Sequence, residues 1–353
     1  MKTDHILIIR FSAMGDVAMT VPVVSALAHQ YPALRITVLS RPFARVFFEG
    51  LAPNVGFMGA DLKGEYHGIK GLNALYRRLI AKNFTAIADF HAILRSSYLR
   101  MRFNMARYRV AHINKHRAER RALTAQGSKK RLQPIPTSFE AYADVLAELG
   151  YPITPQFTSI FSDTDGSLFA TVAHLIGDRP EGQKWIGIAP FAAHQGKVYP
   201  VEKMEQVISL LTQQMPQCRI FLFGGGKDEQ DVFEQWQQRY PACTNASAIM
   251  GGLHGELVLM SRLDVMLSMD SANMHLASLV GTKVVSIWGA THPYAGFMGW
   301  NQSIDNAVQV DLPCRPCSIY GNKPCTQGNY PCMNNILPQQ VVEKTINVIH
   351  HNS

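Results

Sequence analysis

The stretch Asp270–Ala277 reads D-S-A-N-M-H-L-A and carries the clearest information about the fold. It follows the apolar run Val265–Ser268 and precedes a second apolar run, Lys283–Trp288. This order predicts a strand, a polar turn, a short helix opened by small residues, and another strand. A turn of this kind directs backbone N–H groups and a helix N-terminus towards an anion.

A similar turn lies near the start of the chain. The apolar run Ile6–Ile9 leads into R-F-S-A-M-G-D at residues 10–16, a polar turn that contains a glycine. In an open parallel sheet, ligands bind beyond the carboxyl ends of the strands. Two such turns, one in each half of the chain, therefore predict two nucleotide-binding-type folds that face a shared cleft.

The size and composition are those of a globular protein. The chain has 353 residues, enough for two domains, and a hydrophobic share of 47%. No run approaches the roughly 18 apolar residues of a membrane span, and the first apolar run is too short for a signal peptide. We therefore expect a cytoplasmic protein. Its net charge of +8 also allows a peripheral position on the inner face of the cytoplasmic membrane.

Positive charge is concentrated between Arg95 and Arg131. This stretch holds twelve Lys or Arg residues and one acidic residue, Glu119. Such a stretch can bind phosphates, anionic lipid headgroups or nucleic acid, whereas a solvated helix face with a loop is the simpler interpretation. The scarcity of acids, with His112 and His116 inside the run, favours an anionic partner.

Apolar runs alternate with helical patterns in both halves, which predicts parallel sheets with helices on both faces. The predicted strands are His5–Arg10, Arg35–Leu39, Val55–Met58, Thr85–Asp89, Trp185–Ala189, Arg219–Phe223, Val265–Ser268 and Val284–Trp288. The predicted helices are Val21–Gln30, Pro42–Glu49, Leu72–Lys82, Phe139–Leu149, Ser167–Ile176, Glu202–Gln213, Asp228–Arg239, Glu256–Arg262 and Pro338–His350. The first helix begins either after Thr20, with Pro22 in its first turn, or already at Gly15.

The domain boundary is expected between Pro152 and Gly182, where proline and polar residues are frequent. We therefore expect an N-terminal domain of residues 1–165 and a C-terminal domain of residues 166–337. The second domain includes a cysteine-rich loop at 313–333. Residues 338–353 form a closing helix.

Two charged residues lie where ligands are expected. Asp16 follows Gly15 after the first strand, where a carboxylate can act as a general base, although a helix N-cap explains it equally well. Lys197 lies in a loop between a strand and a helix that Pro200 opens. An ammonium group there can contact a phosphate, and a plain surface lysine is the simpler interpretation.

Glycines and small polar residues mark two further turns. The run Gly224–Lys227 follows a strand and lets the backbone approach a ligand, but it is neither a Walker loop nor a dinucleotide turn, and a tight turn alone also explains it. Ser271 can bind phosphate together with backbone N–H groups. Asp270 would repel phosphate, so it orients the loop or meets a sugar hydroxyl. His275 is either a ligand contact or a core histidine.

The C-terminal quarter contains four cysteines within nineteen residues, Cys314, Cys317, Cys325 and Cys332. Four thiolates suit a tetrahedral structural zinc, although the spacing C-x2-C-x7-C-x6-C lacks the final C-x2-C of common zinc ribbons. Reduced cysteines in a packed loop are an equal alternative. A cytoplasmic setting argues against stable disulfides.

With these positions identified, the chain resembles glycosyltransferase family 9, the bacterial heptosyltransferases that build the inner core of lipopolysaccharide. The resemblance spans nearly the whole length, in the same order. It is carried by I-L-I-I-R-F-S-A-M-G-D-V from Ile6, D-F-H-A-I-L-R-S from Asp89, the loop that ends at Lys197, and S-M-D-S-A-N-M-H-L-A-S from Ser268.

The resemblance implies an α/β protein of GT-B architecture, in which two Rossmann-like parallel-sheet domains face a central cleft. It implies that the N-terminal domain (residues 1–165) binds the acceptor and the C-terminal domain (residues 166–337) binds the nucleotide sugar. It implies inverting transfer of a sugar, heptose from ADP-heptose, onto a phosphorylated, anionic glycolipid at the inner membrane. No cofactor is then required for catalysis and no nucleic acid is a partner. The oligomeric state is not predicted.

The resemblance also implies roles for individual residues. Asp16 is the catalytic base. The donor-binding residues are Lys197, Gly225, Gly226, Asp270, Ser271, Ala272 and His275. We assign acceptor binding to Ser12, Met14, Gly15, Arg95, Arg117 and Arg120.

Two positions depart from the family pattern. Members usually carry Thr-Gly where this chain has Ser271-Ala272, and an acidic residue that contacts the donor ribose in some members falls at Gly226. The alternatives are a GT-B transferase that uses another nucleotide sugar for cell-surface polysaccharide, a nucleotide-sugar epimerase, and a non-enzymatic protein that binds anions or nucleic acid through residues 95–131.

Overall fold

The first apolar run of the chain forms the central strand of a parallel sheet in a computed structural model that describes residues 4–162 and 166–351. This strand, β1 (His5–Ile9), is buried at every position, as expected for a strand covered by helices on both faces. Within the described residues the first sheet has five strands in the order β3-β2-β1-β4-β5, and all its pairings are parallel. The other four are β2 (Arg35–Ser40), β3 (Val55–Gly59), β4 (Ala86–Asp89) and β5 (Arg109–His112).

The helices that connect these strands are amphipathic or wholly buried. They are α1 (Met14–Ala18), α2 (Val21–Gln30), α3 (Arg45–Phe48), α4 (Gly68–Ile80), α5 (Leu94–Met105) and α7 (Ser138–Glu148), whereas α6 (Arg117–Leu123) belongs to the second unit of the chain. Both alternatives for the first helix are realised in part. Helix α1 includes Gly15, and α2 begins after Thr20 with Pro22 in its first turn, where the missing N–H costs nothing.

The second half of the chain builds another parallel sheet. Within the described residues it has six strands in the order β11-β10-β9-β6-β7-β8. The strands are β6 (Trp185–Ala189), β7 (Arg219–Leu222), β8 (Cys243–Asn245), β9 (Val265–Met269), β10 (Val284–Ile287) and β11 (Ala307–Val308). The helices are α8 (Ala170–Ile176), α9 (Val201–Gln214), α10 (Lys227–Arg239), α11 (Ala246–Ile249), α12 (Leu253–Met260), α13 (Ala272–Leu279), α14 (Pro331–Asn334) and α15 (Pro338–His351).

The predicted fold class is confirmed, because each half of the chain forms a Rossmann-like parallel sheet with helices. The core of each unit consists of the apolar strands and the inner faces of their helices. In α4, for example, Leu72, Leu75 and Leu79 are buried at helical spacing. None of the helices in the described part of the chain has the length and apolar character needed to cross a membrane.

The chain divides into its two units differently from the expected domains. One unit comprises Met1–Lys115 and Pro136–Ile160, and the other comprises His116–Ile135 and Phe161–Ser353. Residue 165, where we placed the end of the first domain, lies outside the described residues, as do residues 352 and 353 of the closing helix.

The segment His116–Ile135 belongs to the second unit because its side chains and backbone bind loops there. The Lys130 amine donates hydrogen bonds to the carbonyls of Pro313 and Arg315, and Ile135 N donates to Tyr294 O at 3.0 Å. A basic sequence does not reveal which carbonyls it will meet. This placement was therefore not predictable from composition.

Candidate functional site

The turn after β1 fixes the direction of the Asp16 carboxylate. Asp16 lies in the first turn of α1, where its Oδ2 accepts a hydrogen bond from Ala13 N at 3.1 Å and lies 2.7 Å from the Arg10 guanidinium. Its side chain is still 30% exposed. The N-cap of α1 is Ala13, so the interpretation of Asp16 as the cap is wrong. Asp16 is the third residue of the helix, and its carboxylate binds the N–H of the cap residue while it remains reachable by a ligand.

Arg10 and His91 connect this turn to the neighbouring strand. Arg10 Nη1 donates to Phe90 O at 2.8 Å, and His91 Nδ1 accepts from Phe11 N at 3.3 Å. Both residues are buried. The ends of β1 and β4 are thereby held together beneath Asp16. We assigned no role to either residue from sequence, although D-F-H begins at the last residue of β4, the strand that pairs with β1.

Asp89 organises the start of this second loop. Its Oδ1 accepts hydrogen bonds from His91 N at 3.0 Å and Ala92 N at 2.9 Å, while Oδ2 lies 3.4 Å from Arg100. The carboxylate is fully buried. Because one oxygen binds the loop backbone and the other faces Arg100 of α5, Asp89 holds this loop and helix together beside the site.

The buried position of His91 predicts an acid-sensitive stability. Burial, with the nearby Arg10 guanidinium, lowers the pKa of His91 to about 3 from 6.5. Between these two pKa values, His91 is protonated in the unfolded chain but not in the folded protein. The free energy of unfolding must therefore fall as the pH drops through this range. We expect the Tm of the wild type, measured by scanning calorimetry, to decrease from pH 7 towards pH 4. The Tm of His91→Gln should decrease less over the same range.

The exposed His112 provides the matched control for this measurement. The variant His112→Gln should follow the wild type across the same pH range. If His91→Gln and the wild type lose stability with equal slopes, His91 does not carry the effect.

The residues assigned to the acceptor fall in both units. Ser12, Met14 and Gly15 share the turn of Asp16, and Arg95 is exposed in the first turn of α5, which follows β4. Arg117 and Arg120 lie on α6 and so belong to the second unit. Arg120 donates to Tyr320 Oη at 2.8 Å and stacks over the Phe297 ring at 5.1 Å, so its guanidinium already has partners there.

The side chain of Lys197 lies beside the turn that joins β9 to α13. Lys197 Nζ lies 2.9 Å from Asp270 Oδ2, and the two side chains are 16% and 4% exposed. Ser271 is the residue before the helix, with its hydroxyl 3.3 Å from Ser268 Oγ. The carboxylate thus holds an ammonium group beside a helix N-terminus, an arrangement that attracts an anion.

The cysteine-rich loop determines where the Lys197 side chain can lie. Its Gly321 adopts φ +75°, and a Cβ at this position would lie 2.6 Å from Lys197 Cγ. Only glycine tolerates both the backbone conformation and this close approach. The aliphatic part of Lys197 is therefore packed against the loop while Asp270 holds its amine.

The remaining donor-site candidates have mixed surroundings. Ala272 begins α13, and His275 is buried one turn later. Gly226 precedes α10 at φ +110°, but Gly225 N already donates to Glu229 Oε2 at 2.7 Å. The N–H of Gly225 is therefore already bound within the turn, and the role of Gly225 and Gly226 in donor binding stays a prediction.

The four clustered cysteines do not form the predicted zinc site. Within residues 4–162 and 166–351, no group of three or more His, Cys, Asp or Glu residues is placed to hold a metal ion. Cys314, Cys317 and Cys325 are partly exposed, whereas Cys332 is buried in the core of the second unit. Burial raises the pKa of Cys332 to about 11, so its thiol stays protonated at neutral pH. The expectation of zinc is not supported.

A buried arginine helps to hold this loop. Arg315 donates to the carbonyl of Gly289 at 2.5 Å and to that of Thr291 at 3.1 Å. It also donates to the Gln309 side chain at 2.9 Å. The Arg315 guanidinium thus connects the cysteine-rich loop to the residues that follow β10. The spacing of the cysteines could not predict this contact.

The sequence model for glycosyltransferase family 9 (heptosyltransferase) matches residues 72–329 of this chain. Lipopolysaccharide core heptosyltransferase OpsX of Haemophilus influenzae is 23% identical over 86% of this chain and 83% of that protein. Lipooligosaccharide heptosyltransferase 2 of Campylobacter jejuni is 26% identical over 37% of this chain. The chain spans only 40% and 51% of the length of this protein from two strains.

Solved structures show the same fold over the full length. A glycosyl transferase family 9 protein from Veillonella parvula has a TM-score of 0.72 and 17% identity, and the match covers 99% of both chains. The ADP-heptose lipopolysaccharide heptosyltransferase II of Escherichia coli has a TM-score of 0.68 and 16% identity, with 98% of this chain and 99% of that chain covered.

Proposed function

Because this chain belongs to glycosyltransferase family 9 and is a heptosyltransferase-like glycosyltransferase, we propose that it transfers heptose from ADP-heptose, with inversion, to an anionic glycolipid of the lipopolysaccharide inner core. The observation that carries this proposal is the Lys197–Asp270 pair at the start of α13. The name of the E. coli structural relative, an ADP-heptose enzyme, supports the choice of donor.

The positive groups of the second unit suit the departing diphosphate. In an inverting transfer, the acceptor oxygen bonds to the anomeric carbon as the bond from that carbon to the diphosphate breaks, and negative charge grows on the departing ADP. The Lys197 ammonium, the Ser271 hydroxyl and the N-terminus of α13 would stabilise this charge as it develops. Asp270 keeps the ammonium in place, so little reorganisation is needed during the reaction.

Asp16 is our candidate for the group that removes the acceptor proton. Its Oδ2 is directed by Ala13 N and Arg10, and the carboxylate remains partly exposed. General-base catalysis of this kind contributes about 10²–10⁴ in rate. We further propose that the enzyme acts in the cytoplasm, as a peripheral protein at the inner membrane face, because its acceptor is a lipid.

Product analysis tests the reaction. We expect that incubation with ADP-heptose and heptose-deficient lipopolysaccharide yields free ADP and an acceptor heavier by one heptosyl residue in mass spectrometry. Without acceptor, the sugar nucleotide should remain unchanged. A donor isomerised in the absence of acceptor would instead indicate an epimerase, and tight, salt-sensitive binding of unrelated oligonucleotides without transfer would indicate a nucleic-acid-binding protein.

The identity of the donor nucleotide needs its own test, because Ser271-Ala272 and Gly226 depart from the family pattern. A ligand that binds only the folded state raises the Tm, and at equal concentration the ligand with the lower Kd gives the larger shift. Among ADP, GDP, UDP and CMP at equal concentration, ADP should give the largest thermal shift. A larger shift with one of the other three would contradict ADP-heptose and favour another nucleotide sugar.

A further inference from the structure

Two neighbouring helices of the first unit expose large aliphatic side chains. Leu94, Met101 and Met105 on α5 are 88%, 48% and 75% exposed, and Ile69 on α4 is 68% exposed. Residues 94, 101 and 105 are seven and four positions apart, which places them on one side of α5. We call these four residues, with the exposed cations Lys70, Arg77 and Arg95, the α4–α5 face.

Hydrogen bonds join the two helices of the α4–α5 face. Tyr98 Oη donates to Asn73 Oδ1 at 2.8 Å, and Arg102 donates to the same oxygen. Ile69 lies four residues before Asn73 and Leu94 lies four residues before Tyr98. Both exposed side chains therefore stand at the N-terminal end of the helix pair. In a parallel α/β sheet this end lies at the carboxyl edge of the strands, the same edge that carries Asp16.

The charge around this face is predominantly positive. Residues 65–117 contain eleven Lys or Arg residues and two acidic residues: Asp89, which is fully buried, and Glu65, which lies 3.8 Å from Arg78. A surface with this excess of exposed cations attracts an anionic partner. Exposed aliphatic side chains in addition require a partner that can cover them.

We propose that the α4–α5 face docks on the surface of an anionic lipid bilayer. Helices of 13 and 12 residues are too short to span a bilayer, but they can lie in its interface. There the aliphatic side chains enter the boundary of the acyl chains and the cations meet the headgroups. Nucleic acid fits this surface less well, because bases stack on exposed aromatic rings and the exposed large side chains here are aliphatic.

The biological role of this docking rests on the proposed function. A lipid-linked acceptor is held in a membrane. Docking through the α4–α5 face, whose Ile69 and Leu94 lie at the N-terminal ends of the helices, would bring the carboxyl edge of the first sheet, with Asp16, near that membrane. Binding to lipid itself needs neither the donor nor the acceptor. The two proposals can therefore fail separately.

Vesicle co-sedimentation tests the inference. The wild type should sediment with vesicles of phosphatidylglycerol and phosphatidylethanolamine but not with phosphatidylcholine vesicles. Raising NaCl from about 0.1 M to about 1 M should release most of it, since the Debye length falls from about 10 Å to about 3 Å. The triple variant Leu94→Ser/Met101→Ser/Met105→Ser should bind at least about tenfold more weakly, and Lys70→Gln/Arg77→Gln about tenfold more weakly.

Matched variants keep the test specific. Leu337 is 56% exposed in the second unit, so Leu337→Ser should bind vesicles like the wild type. The triple variant should keep its thermal stability and its turnover on a soluble, deacylated acceptor, while its turnover on acceptor embedded in vesicles falls. Equal vesicle binding by the triple variant and the wild type would overturn the proposal. So would displacement of the wild type from vesicles by unrelated oligonucleotides.

The outcomes separate this inference from the proposed function. A protein that transfers heptose but ignores anionic vesicles overturns the docking proposal alone. A protein that binds the vesicles through the α4–α5 face but transfers no sugar overturns the heptosyltransferase proposal alone.

Discussion

Asp16→Asn should lower heptose transfer by about 10²–10⁴-fold and leave donor binding nearly intact. Asparagine keeps an oxygen that can accept the hydrogen bond from Ala13 N and face Arg10, so the start of α1 is preserved. Its amide cannot take a proton from the acceptor hydroxyl. The loss should therefore appear in turnover and not in the affinity for the nucleotide.

The measurement is the initial rate of ADP release with acceptor present, with the dissociation constant of ADP from titration calorimetry. Asp305→Asn is the matched control, because Asp305 is an exposed aspartate that also accepts a hydrogen bond in a helical turn, from Ser303. It should match the wild type in both quantities. If Asp16→Asn retains nearly full turnover, Asp16 is not the base.

Lys197→Met should weaken donor binding and lower kcat/KM together, with about 10²–10³ lost in turnover. Methionine fills the space beside Gly321 but removes the ammonium that faces the diphosphate. Both quantities fall because the diphosphate is charged in the ground state and gains charge as the bond breaks. The variant also leaves the Asp270 carboxylate buried without its cation, which should lower the Tm.

A second variant separates these two effects. Lys197→Met/Asp270→Asn removes the uncompensated carboxylate, so the Tm should recover while donor affinity and turnover stay low. Thermal melting, calorimetry with ADP and initial rates on each protein give the comparison. Recovery of activity along with the Tm would mean that Lys197 supports the fold only, and the assignment to the diphosphate would be wrong.

The sequence predicted the centres of both sheets because a parallel strand that is buried on both faces is a continuous apolar run. Strands β1, β6 and β9 illustrate this, since every residue in them is buried. The edge strands β5, β8 and β11 were missed. Their sequences are R-V-A-H, C-T-N and A-V, which are too short to show a strand pattern, so pairing with a neighbouring strand defines them.

The candidate site could be located from sequence but not assembled. Asp16, Lys197 and Asp270 were found because each follows a strand end. The contact between Lys197 and Asp270 depends on β6 and β9 being neighbours, which alternation of strands and helices does not specify. The zinc expectation failed for a related reason, because spacing cannot show that Cys332 turns into the core.

The path of the chain has a consequence for recombination between relatives. It passes from one unit to the other at Lys115/His116, Ile135/Pro136 and Ile160/Phe161. A chimera joined at one crossover near residue 160 would take α6 from one parent and the loops that receive Lys130 and Ile135 from the other. A chimera that exchanges one whole unit without such a mismatch would therefore need three junctions, one at each crossing.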